Sequence, residues 1–285
     1  MKLCIMNKPF YIHVGYGRTA TTWLQELVFS KNEQIHYFGK TNASYPDWLI
    51  TVNYANEYSY ARQKKEIIHY IHQKHNEYDD KVSLCSSEAF TNFSSLPLQL
   101  IRIKEVFPNP KIIIVLRHPI SLIESFYKQN VKDGHFFLDI EEYLDWRPRP
   151  FALQIRPPIY LPDLCYDDVI NYYYDHMNND QLLILKFENF IQKPANFISE
   201  IEAFMGIEIK DVTDIVNTKI RESENLLQIQ DQRWNNYQTL IKRIDKNAEA
   251  DLSRSYFKTD MNISEDLKKR LMDYFKPKCS MYFND

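Results

Sequence analysis

Residues 11–25 of this chain read Y-I-H-V-G-Y-G-R-T-A-T-T-W-L-Q. A short apolar run leads into a turn that contains Gly15 and Gly17, and Arg18, three threonines and an apolar segment follow. This order predicts a strand, a polar loop and the N-terminus of a helix, where exposed backbone N–H groups and the helix dipole favour a bound anion. Threonine hydroxyls and one cationic side chain complete such a cradle. The stretch therefore predicts a loop that binds the phosphate of a nucleotide.

The composition confines any anion site to a local group of residues. The chain has 285 residues, a net charge of −3 and a pI near 6.3. This balance argues against a nucleic-acid partner held by a general positive field. The apolar fraction of 44% is enough for a sizeable core, and the length favours one α/β domain over residues 1–285 with insertions.

The cysteines and the apolar runs predict a cytoplasmic protein. Cys4, Cys85, Cys165 and Cys279 are scattered without a C-x-x-C spacing, which favours buried thiols in a reducing compartment over disulfides or a metal site. No apolar run approaches the roughly 18–20 residues of a membrane span, and the first residues are too short an apolar stretch for a signal peptide. We expect no membrane span and no bound metal, and the oligomeric state is open.

Strand and helix patterns alternate along the chain. Short β-branched runs predict buried parallel strands, and helical patterns separate them, one of which begins at Pro119 and another after Ser264 as its N-cap. This alternation predicts a parallel sheet with helices on both faces, and ligands of such sheets bind at the carboxyl ends of the strands. The predicted strands are 10–14, 82–85, 111–116 and 181–185, and further helices are predicted over 61–75, 195–205 and 264–275.

A proline-rich segment, 146–163, interrupts this pattern. It reads W-R-P-R-P-F-A-L-Q-I-R-P-P-I-Y-L-P-D, a composition typical of an extended, semi-rigid loop. One interpretation is a surface crossover. The other is a substrate lid whose Arg147, Arg149 and Arg156 contact an anionic acceptor.

Polar residues follow three of the predicted strands. The phosphate loop follows the strand 10–14. Ser86, Ser87 and Glu88 follow the strand 82–85, and Arg117 and His118 follow the strand 111–116. Because the ends of parallel strands converge, we expect the phosphate loop, a carboxylate and a second cation at one edge of the sheet. His118 is a weaker candidate for this site, and His13, inside the first strand, is predicted to be buried and hydrogen-bonded instead.

The loop differs from that of a P-loop kinase. That motif, G-x-x-x-x-G-K-[ST], needs a Lys after its last glycine and a metal-holding Asp at a strand end. This chain has no Gly-Lys pair, and Arg117 stands where the Asp is expected. An ATP- and Mg²⁺-dependent phosphotransferase is therefore an alternative that these residues disfavour.

The chain resembles the sulfotransferases that use 3′-phosphoadenosine 5′-phosphosulfate (PAPS). G-Y-G-R-T-A-T-T-W-L-Q at 15–25 is similar to the loop G-[FY]-x-[KR]-[ST]-G-T-T-x-L-Q of that family, and I-I-I-V-L-R-H-P-I-S-L-I-E-S supplies an Arg and, eight residues later, a Ser, as the family does. L-L-I-L-K-F-E-N-F at 182–190 is a less specific similarity. Ala20 departs from the motif, where Gly is usual, so the loop must either avoid a positive φ there or tolerate strain.

The resemblance implies a P-loop-like α/β fold and transfer of the sulfuryl group of PAPS to a hydroxyl or amine. The acceptor is expected to be a small molecule or a glycan, and a carbohydrate is the candidate. Arg18 would stabilise the leaving phosphate, Glu88 would be the general base, and Arg147, Arg149, Arg156 and His118 are weaker candidates for the acceptor. The loop residues expected to bind the 5′-phosphosulfate are Gly17, Arg18, Thr19, Ala20, Thr21 and Thr22, and those for the 3′-phosphate are Arg117 and Ser125.

The resemblance implies no essential metal, because a sulfuryl group carries less charge than a phosphoryl group. Ala20 keeps a further alternative open, a degenerate protein that binds the nucleotide without transferring a group.

Overall fold

The computed structural model describes residues 8–40, 44–91, 96–144, 161–218, 226–244, 253–258 and 263–283. The chain divides into two compact units. The sheet unit comprises the described residues of 1–117 and 172–220, and the helical unit comprises those of 118–171 and 221–285. The single domain expected from the sequence stays a prediction.

The described part of the sheet unit contains a five-stranded sheet whose pairings are all parallel, in the order β2-β3-β1-β4-β5. In the register, Ile12 of the central strand lies between Cys85 and Ile112. The predicted parallel α/β sheet is confirmed, with one short edge strand that the sequence did not predict. The strands are β1 (Phe10–Gly15), β2 (Ile35–Tyr37), β3 (Val82–Ser86), β4 (Pro110–Leu116) and β5 (Leu182–Lys186).

The helices confirm the predicted segments. Pro119 occupies the first turn of its helix, and the Ser264 side chain caps the helix that follows it by accepting a hydrogen bond from the Leu267 N–H. The described helices are α1 (Thr21–Trp23), α2 (Asp47–Tyr54), α3 (Glu57–Glu77), α4 (Leu96–Val106), α5 (Pro119–Lys132), α6 (Ile140–Tyr143), α7 (Tyr166–His176), α8 (Phe187–Gln192), α9 (Pro194–Met205), α10 (Val212–Asn217), α11 (Leu226–Ile244), α12 (Glu265–Phe275) and α13 (Ser280–Phe283).

The structure also contains a π-helical segment and several 3₁₀ turns. A π-helical segment, Leu24–Phe29, continues directly from α1. Short 3₁₀ turns cover Glu88–Thr91, Leu161–Leu164, Asn179–Gln181 and Arg254–Lys258.

Helices cover both faces of the sheet because successive strand residues point to opposite sides. Phe10 contacts His75 of α3, with ring centroids 5.5 Å apart. The next residue, Tyr11, contacts Phe204 of α9 on the opposite face, with ring centroids 5.6 Å apart. β1 is buried along its whole length, as expected for a central parallel strand.

Arg102 of α4 fastens α2 to α3. Its guanidinium is almost wholly buried and donates hydrogen bonds to the carbonyl oxygens of Val52 and Ala55, at 2.9 and 2.8 Å. It also forms an ion pair of 2.5 Å with Glu57, the first residue of α3. The positive charge therefore lies at the negative end of the α2 dipole, where a cation is stabilising.

In the helical unit, Asn236 of α11 binds the end of α5. Its Nδ2 donates hydrogen bonds to the carbonyl oxygens of Val131 and Phe136, at 2.6 and 2.8 Å. Arg233, one turn earlier on α11, donates through Nε to the Phe137 carbonyl oxygen at 2.8 Å. These bonds join α11 to the last turn of α5 and to the segment that follows it.

The thiols of Cys85, Cys165 and Cys279 are buried and form no disulfide, as the sequence predicts; Cys4 lies outside the described residues. Within the described ranges, no helix is long and apolar enough to cross a bilayer. The cytoplasmic location stays a prediction.

Candidate active site

The loop between β1 and α1 contains two residues in the left-handed region. Arg18 has φ 73° and Ala20 has φ 60° with ψ 17°. The Thr19 hydroxyl donates to the Tyr16 carbonyl oxygen at 2.5 Å, and the Leu24 N–H donates to the Ala20 carbonyl oxygen at 2.9 Å, where the helix begins. Left-handed residues in a tight turn are typical of backbone concavities that bind anions.

Ala20 tolerates backbone strain instead of avoiding a positive φ. For a residue with a Cβ, the left-handed region costs roughly 1–2 kcal/mol, because Cβ approaches the carbonyl oxygen. Of the two possibilities that the sequence left for this position, the structure has the strained one.

Residue 15 must be glycine because another side chain lies where its Cβ would be, and not because of its backbone conformation. A Cβ at this position would collide with the Cγ2 methyl of Thr21 and lie 3.3 Å from the His13 ring. Thr21 is almost wholly buried. The last residue of β1 must therefore be glycine for the Thr21 side chain to reach its position.

Thr21 and Glu88 meet at the carboxyl ends of β1 and β3. The Thr21 hydroxyl donates a short hydrogen bond to Oε1 of Glu88, the first residue of the 3₁₀ turn after β3. The structure thus brings the candidate base against the candidate phosphate loop.

A buried polar network lies beneath this contact. Nδ1 of His13 is 2.7 Å from the Ser86 hydroxyl, which also accepts a hydrogen bond of 3.0 Å from Gln25. The Ser87 N–H donates to the His13 carbonyl oxygen at 3.2 Å, which ties the end of β3 to β1. Burial lowers the pKa of His13 to about 3, so its imidazole is neutral near pH 7. His13 is the buried, hydrogen-bonded histidine that the sequence predicts.

Arg117 follows the last residue of β4 and holds the loop. Its Nη1 donates to the Arg18 carbonyl oxygen at 2.9 Å, and its guanidinium lies 4.7 Å from the centroid of the Phe187 ring. A second cation therefore lies at the same edge of the sheet as the loop, as expected from the strand ends.

The remaining candidates do not belong to the described part of the sheet unit. Ser125 is on α5 and His118 is the residue before that helix, both in the helical unit, where the His118 ring packs 5.1 Å from that of Phe283. Arg147, Arg149 and Arg156 lie outside the described residues.

The sequence did not predict an aromatic cavity at the carboxyl end of β2. The cavity has a volume of about 280 Å³, and its lining residues are His36, Tyr37, Phe38, Gly39, Ser44, Tyr45, Pro46, Trp48 and Tyr70. A signal was present in the printed sequence, where I-H-Y-F-G at 35–39 combines a short apolar run with aromatic residues and a glycine. Because β2 has only three residues, its pattern is too short to identify a strand.

The arrangement brings a loop with two left-handed residues, a carboxylate and two arginines to one edge of the sheet. The loop and the arginines can hold phosphate groups, and the carboxylate can accept a proton from a bound molecule. In the described ranges, no three His, Cys, Asp or Glu side chains are grouped as metal ligands.

A model of the sulfotransferase domain family matches residues 10–282. Among solved structures, a sulfotransferase from Alicyclobacillus acidocaldarius is 19% identical with a TM-score of 0.50, over 88% of this chain and 99% of that one. The sulfotransferase domain from the Curacin biosynthetic pathway is 13% identical with a TM-score of 0.48, over 93% and 97% of the two chains. A mouse sulfotransferase complexed with PAP is 13% identical with a TM-score of 0.46, over 96% and 84%.

At these identities, similarity to a solved structure shows the fold alone. The match to the sulfotransferase from Alicyclobacillus acidocaldarius agrees with the parallel sheet flanked by helices. No curated protein sequence matches the chain. The family match confirms the predicted family.

Replacing Ala20 by glycine is expected to relieve the strain at its positive φ. Ala55, at φ −66°, is the matched control, because glycine there only adds entropy to the unfolded chain. We expect the free energy of unfolding of Ala20→Gly to exceed that of Ala55→Gly by about 1–2 kcal/mol in urea titrations. Equal losses at the two positions would show that Ala20 is unstrained.

The low pKa of His13 makes the stability of the fold depend on pH. In the unfolded chain the imidazole binds a proton near pH 6.5, and in the folded chain only near pH 3, so stability falls as the pH is lowered from about 6.5 towards 3. In His13→Gln, the slope of the free energy of unfolding between pH 4 and 5.5 is expected to decrease by about 1.4 kcal/mol per pH unit. Urea titrations at several pH values measure the slope. An unchanged slope in His13→Gln contradicts the assignment.

Proposed function

Since the chain belongs to the sulfotransferase domain family, we propose that it is an enzyme that transfers the sulfuryl group of PAPS to a hydroxyl or amine of a small acceptor. The observation that carries the proposal is the hydrogen bond between Thr21 and Glu88. It supports a site in which a proton acceptor lies directly beside the residues that hold the sulfuryl donor.

The residues of the loop fit a phosphosulfate group. The left-handed residues Arg18 and Ala20 shape a turn typical of anion-binding backbone, and helix α1 starts directly after it. We assign the 5′-phosphosulfate to the backbone N–H groups of 18–22 with the hydroxyl of Thr22. Thr21, the other hydroxyl predicted for this group, donates its one proton to Glu88 and borders the group through its backbone N–H. Gly17 and Thr19 belong to the same loop, in which Thr19 is bonded to the backbone.

Bound PAPS would supply an activated sulfuryl group and a phosphate leaving group. Arg18 stabilises negative charge on the leaving phosphate by its own charge and hydrogen bonds, because a guanidinium does not lose its proton. Glu88 accepts the proton of the acceptor. The proposal contains no metal, because a sulfuryl group carries less charge than a phosphoryl group.

Arg117 is proposed to hold the 3′-phosphate, which distinguishes PAPS from ordinary adenine nucleotides. Its position after β4 and its bond to the Arg18 carbonyl support this role, since they place a guanidinium next to the loop. Ser125 stays a sequence prediction for the same phosphate. The prediction of a carbohydrate acceptor depends on the arginines of the loop 146–163 and on the family resemblance. Most of that loop lies outside the described residues, so the proposal names a hydroxyl or amine.

Calorimetry tests the donor. We expect 3′,5′-diphosphoadenosine, the desulfated product of PAPS, to bind tightly with or without Mg²⁺ and ATP to bind at least tenfold more weakly. The 3′-phosphate adds charge-assisted hydrogen bonds that ATP cannot form. A preference for ATP, or a requirement for Mg²⁺, would overturn the proposal in favour of a phosphotransferase.

Glu88→Gln tests the base. The amide oxygen can still accept the Thr21 hydrogen bond but cannot take a proton, so transfer from [³⁵S]PAPS to a panel of 2-naphthol, tyramine and methyl β-D-glucoside is expected to fall at least ~100-fold. The affinity for 3′,5′-diphosphoadenosine is expected to stay within about twofold, since the hydrogen bond to the loop remains. Glu26→Gln, exposed on the π-helical segment, is the control. Normal transfer by Glu88→Gln would refute the assignment of the base. If the unmodified protein binds 3′,5′-diphosphoadenosine but transfers sulfate to none of these acceptors, a degenerate binding protein is favoured.

A further inference from the structure

The side chain of Thr21 lies between the backbone of Gly15 and the carboxylate of Glu88. It is 2% exposed, and its Cγ2 methyl occupies the space that a Cβ at Gly15 would need. Its hydroxyl donates a hydrogen bond to Oε1 of Glu88. Because the methyl and the hydroxyl share one Cβ, a rotation to another staggered rotamer would remove both groups from these contacts. The contact of the methyl with Gly15 therefore fixes the direction of the hydroxyl.

The Thr21 hydroxyl cannot donate to the sulfuryl donor and to the base at the same time. A threonine hydroxyl has one proton to donate, and the oxygens of a phosphosulfate group only accept hydrogen bonds. The family resemblance implies that Thr21 and Thr22 both hold this group. In this chain the proton of Thr21 goes to Glu88, whereas Thr22 is partly exposed. The geometry thus separates two neighbouring threonines that the motif treats alike.

Other hydrogen bonds hold the end of β3, just before Glu88, in place. Gln25, which follows Thr21 by four residues and is 5% exposed, donates from Nε2 to the Ser86 hydroxyl at 3.0 Å. Nδ1 of His13 lies 2.7 Å from the same hydroxyl. These bonds do not involve the Thr21 hydroxyl. Its removal is therefore expected to release the carboxylate of Glu88 and to leave the end of the strand where it is.

A hydrogen bond from Thr21 gives the Glu88 side chain a defined direction. Glu88 is partly exposed, and a glutamate loses much rotamer freedom when its carboxylate is held in one position. A hydrogen bond to a charged group is stronger than one between neutral groups, so it offsets this loss. The direction matters because a general base must lie within hydrogen-bond reach of the proton that it accepts.

We propose that Thr21 is a positioning residue of the transfer reaction: its hydroxyl orients the Glu88 carboxylate, and its methyl, in contact with Gly15, directs that hydroxyl. The proposal rests on the sulfotransferase function proposed above and assigns a residue that acts through the base. The Thr21 hydroxyl then contributes to turnover, and the affinity for the donor comes from other groups of the loop.

Thr21→Val and Thr21→Ser separate the two groups of this side chain. Valine keeps the volume and the methyl without the hydroxyl, and serine keeps the hydroxyl without the methyl. We measure transfer from [³⁵S]PAPS to whichever of the three acceptors above the unmodified protein sulfates fastest. Thr21→Val is expected to lower kcat about 30-fold, because a hydrogen bond to a charged group is lost, with KM for PAPS and Kd for 3′,5′-diphosphoadenosine within about threefold. Thr21→Ser is expected to keep kcat within about fivefold of the unmodified protein.

Two further valine substitutions are matched controls. Thr239 is exposed on α11 in the helical unit, where its hydroxyl donates to the Asn235 carbonyl oxygen at 2.8 Å. Thr239→Val is expected to leave kcat and both binding constants unchanged. Thr22→Val is expected to weaken the binding of 3′,5′-diphosphoadenosine about tenfold, since a hydrogen bond to a charged phosphate group is lost.

A compensating pair of substitutions tests the role of the methyl. A Cβ at residue 15 collides with the Thr21 methyl, so Gly15→Ala is expected to lower transfer about 30-fold. Adding Thr21→Ser removes the colliding methyl and keeps the hydroxyl, so transfer is expected to rise again about tenfold. The recovery is partial because the His13 ring lies 3.3 Å from the same Cβ. If Gly15→Ala does not fold, the comparison of Thr21→Val with Thr21→Ser decides alone.

Binding and turnover together separate this inference from the proposed function. Equal kcat values for Thr21→Val and Thr21→Ser would overturn the role of the hydroxyl. A loss of affinity for 3′,5′-diphosphoadenosine in Thr21→Val as large as that in Thr22→Val would overturn it as well, because the hydroxyl would then hold the donor. The proposed function would survive either result, since it fails only if 3′,5′-diphosphoadenosine does not bind or the unmodified protein sulfates no acceptor.

Discussion

The close approach of Thr21 to the backbone of Gly15 is the constraint on which the candidate site depends. Without a Cβ at Gly15, the Thr21 methyl can occupy the space above the end of β1, and its hydroxyl is then directed at Glu88. Helix α1 starts at this threonine, so the same contact sets where the first exposed N–H groups of the helix lie. One small residue thereby determines how closely the loop approaches Glu88, the proposed proton acceptor.

The buried network beneath the site makes this arrangement rigid. His13, Gln25 and Ser86 join β1, the π-helical segment and β3 through hydrogen bonds in the interior, where an unmade bond is expensive. The π-helical segment itself places Gln25 towards the sheet, and π-turns are frequent at functional sites. Since His13 stays neutral, the network does not compete with Glu88 for a proton.

The sequence predicted the parts of this protein that depend on local pattern. Strands β1, β3, β4 and β5 are apolar runs long enough to recognise, and the loop after β1 follows a spacing that phosphate binding requires. β2 was missed because three residues carry no period, and the aromatic cavity was missed with it, since its wall combines side chains that are distant in sequence. The contact between Thr21 and Glu88 could not be predicted from local pattern either, because only the pairing of β1 with β3 brings these residues together.

A sequence motif alone does not determine the backbone conformation of Ala20. An alanine in a glycine position predicts either a different turn or strain, and the strain persists here because the loop is held at both of its ends. Arg117 bonds the Arg18 carbonyl on one side, and the Leu24 N–H bonds the Ala20 carbonyl on the other. Alanine has fewer accessible conformations than glycine, so a loop held in this way is ordered before a ligand arrives. If the loop binds an anion as proposed, its order before binding reduces the entropy lost and offsets the strain energy.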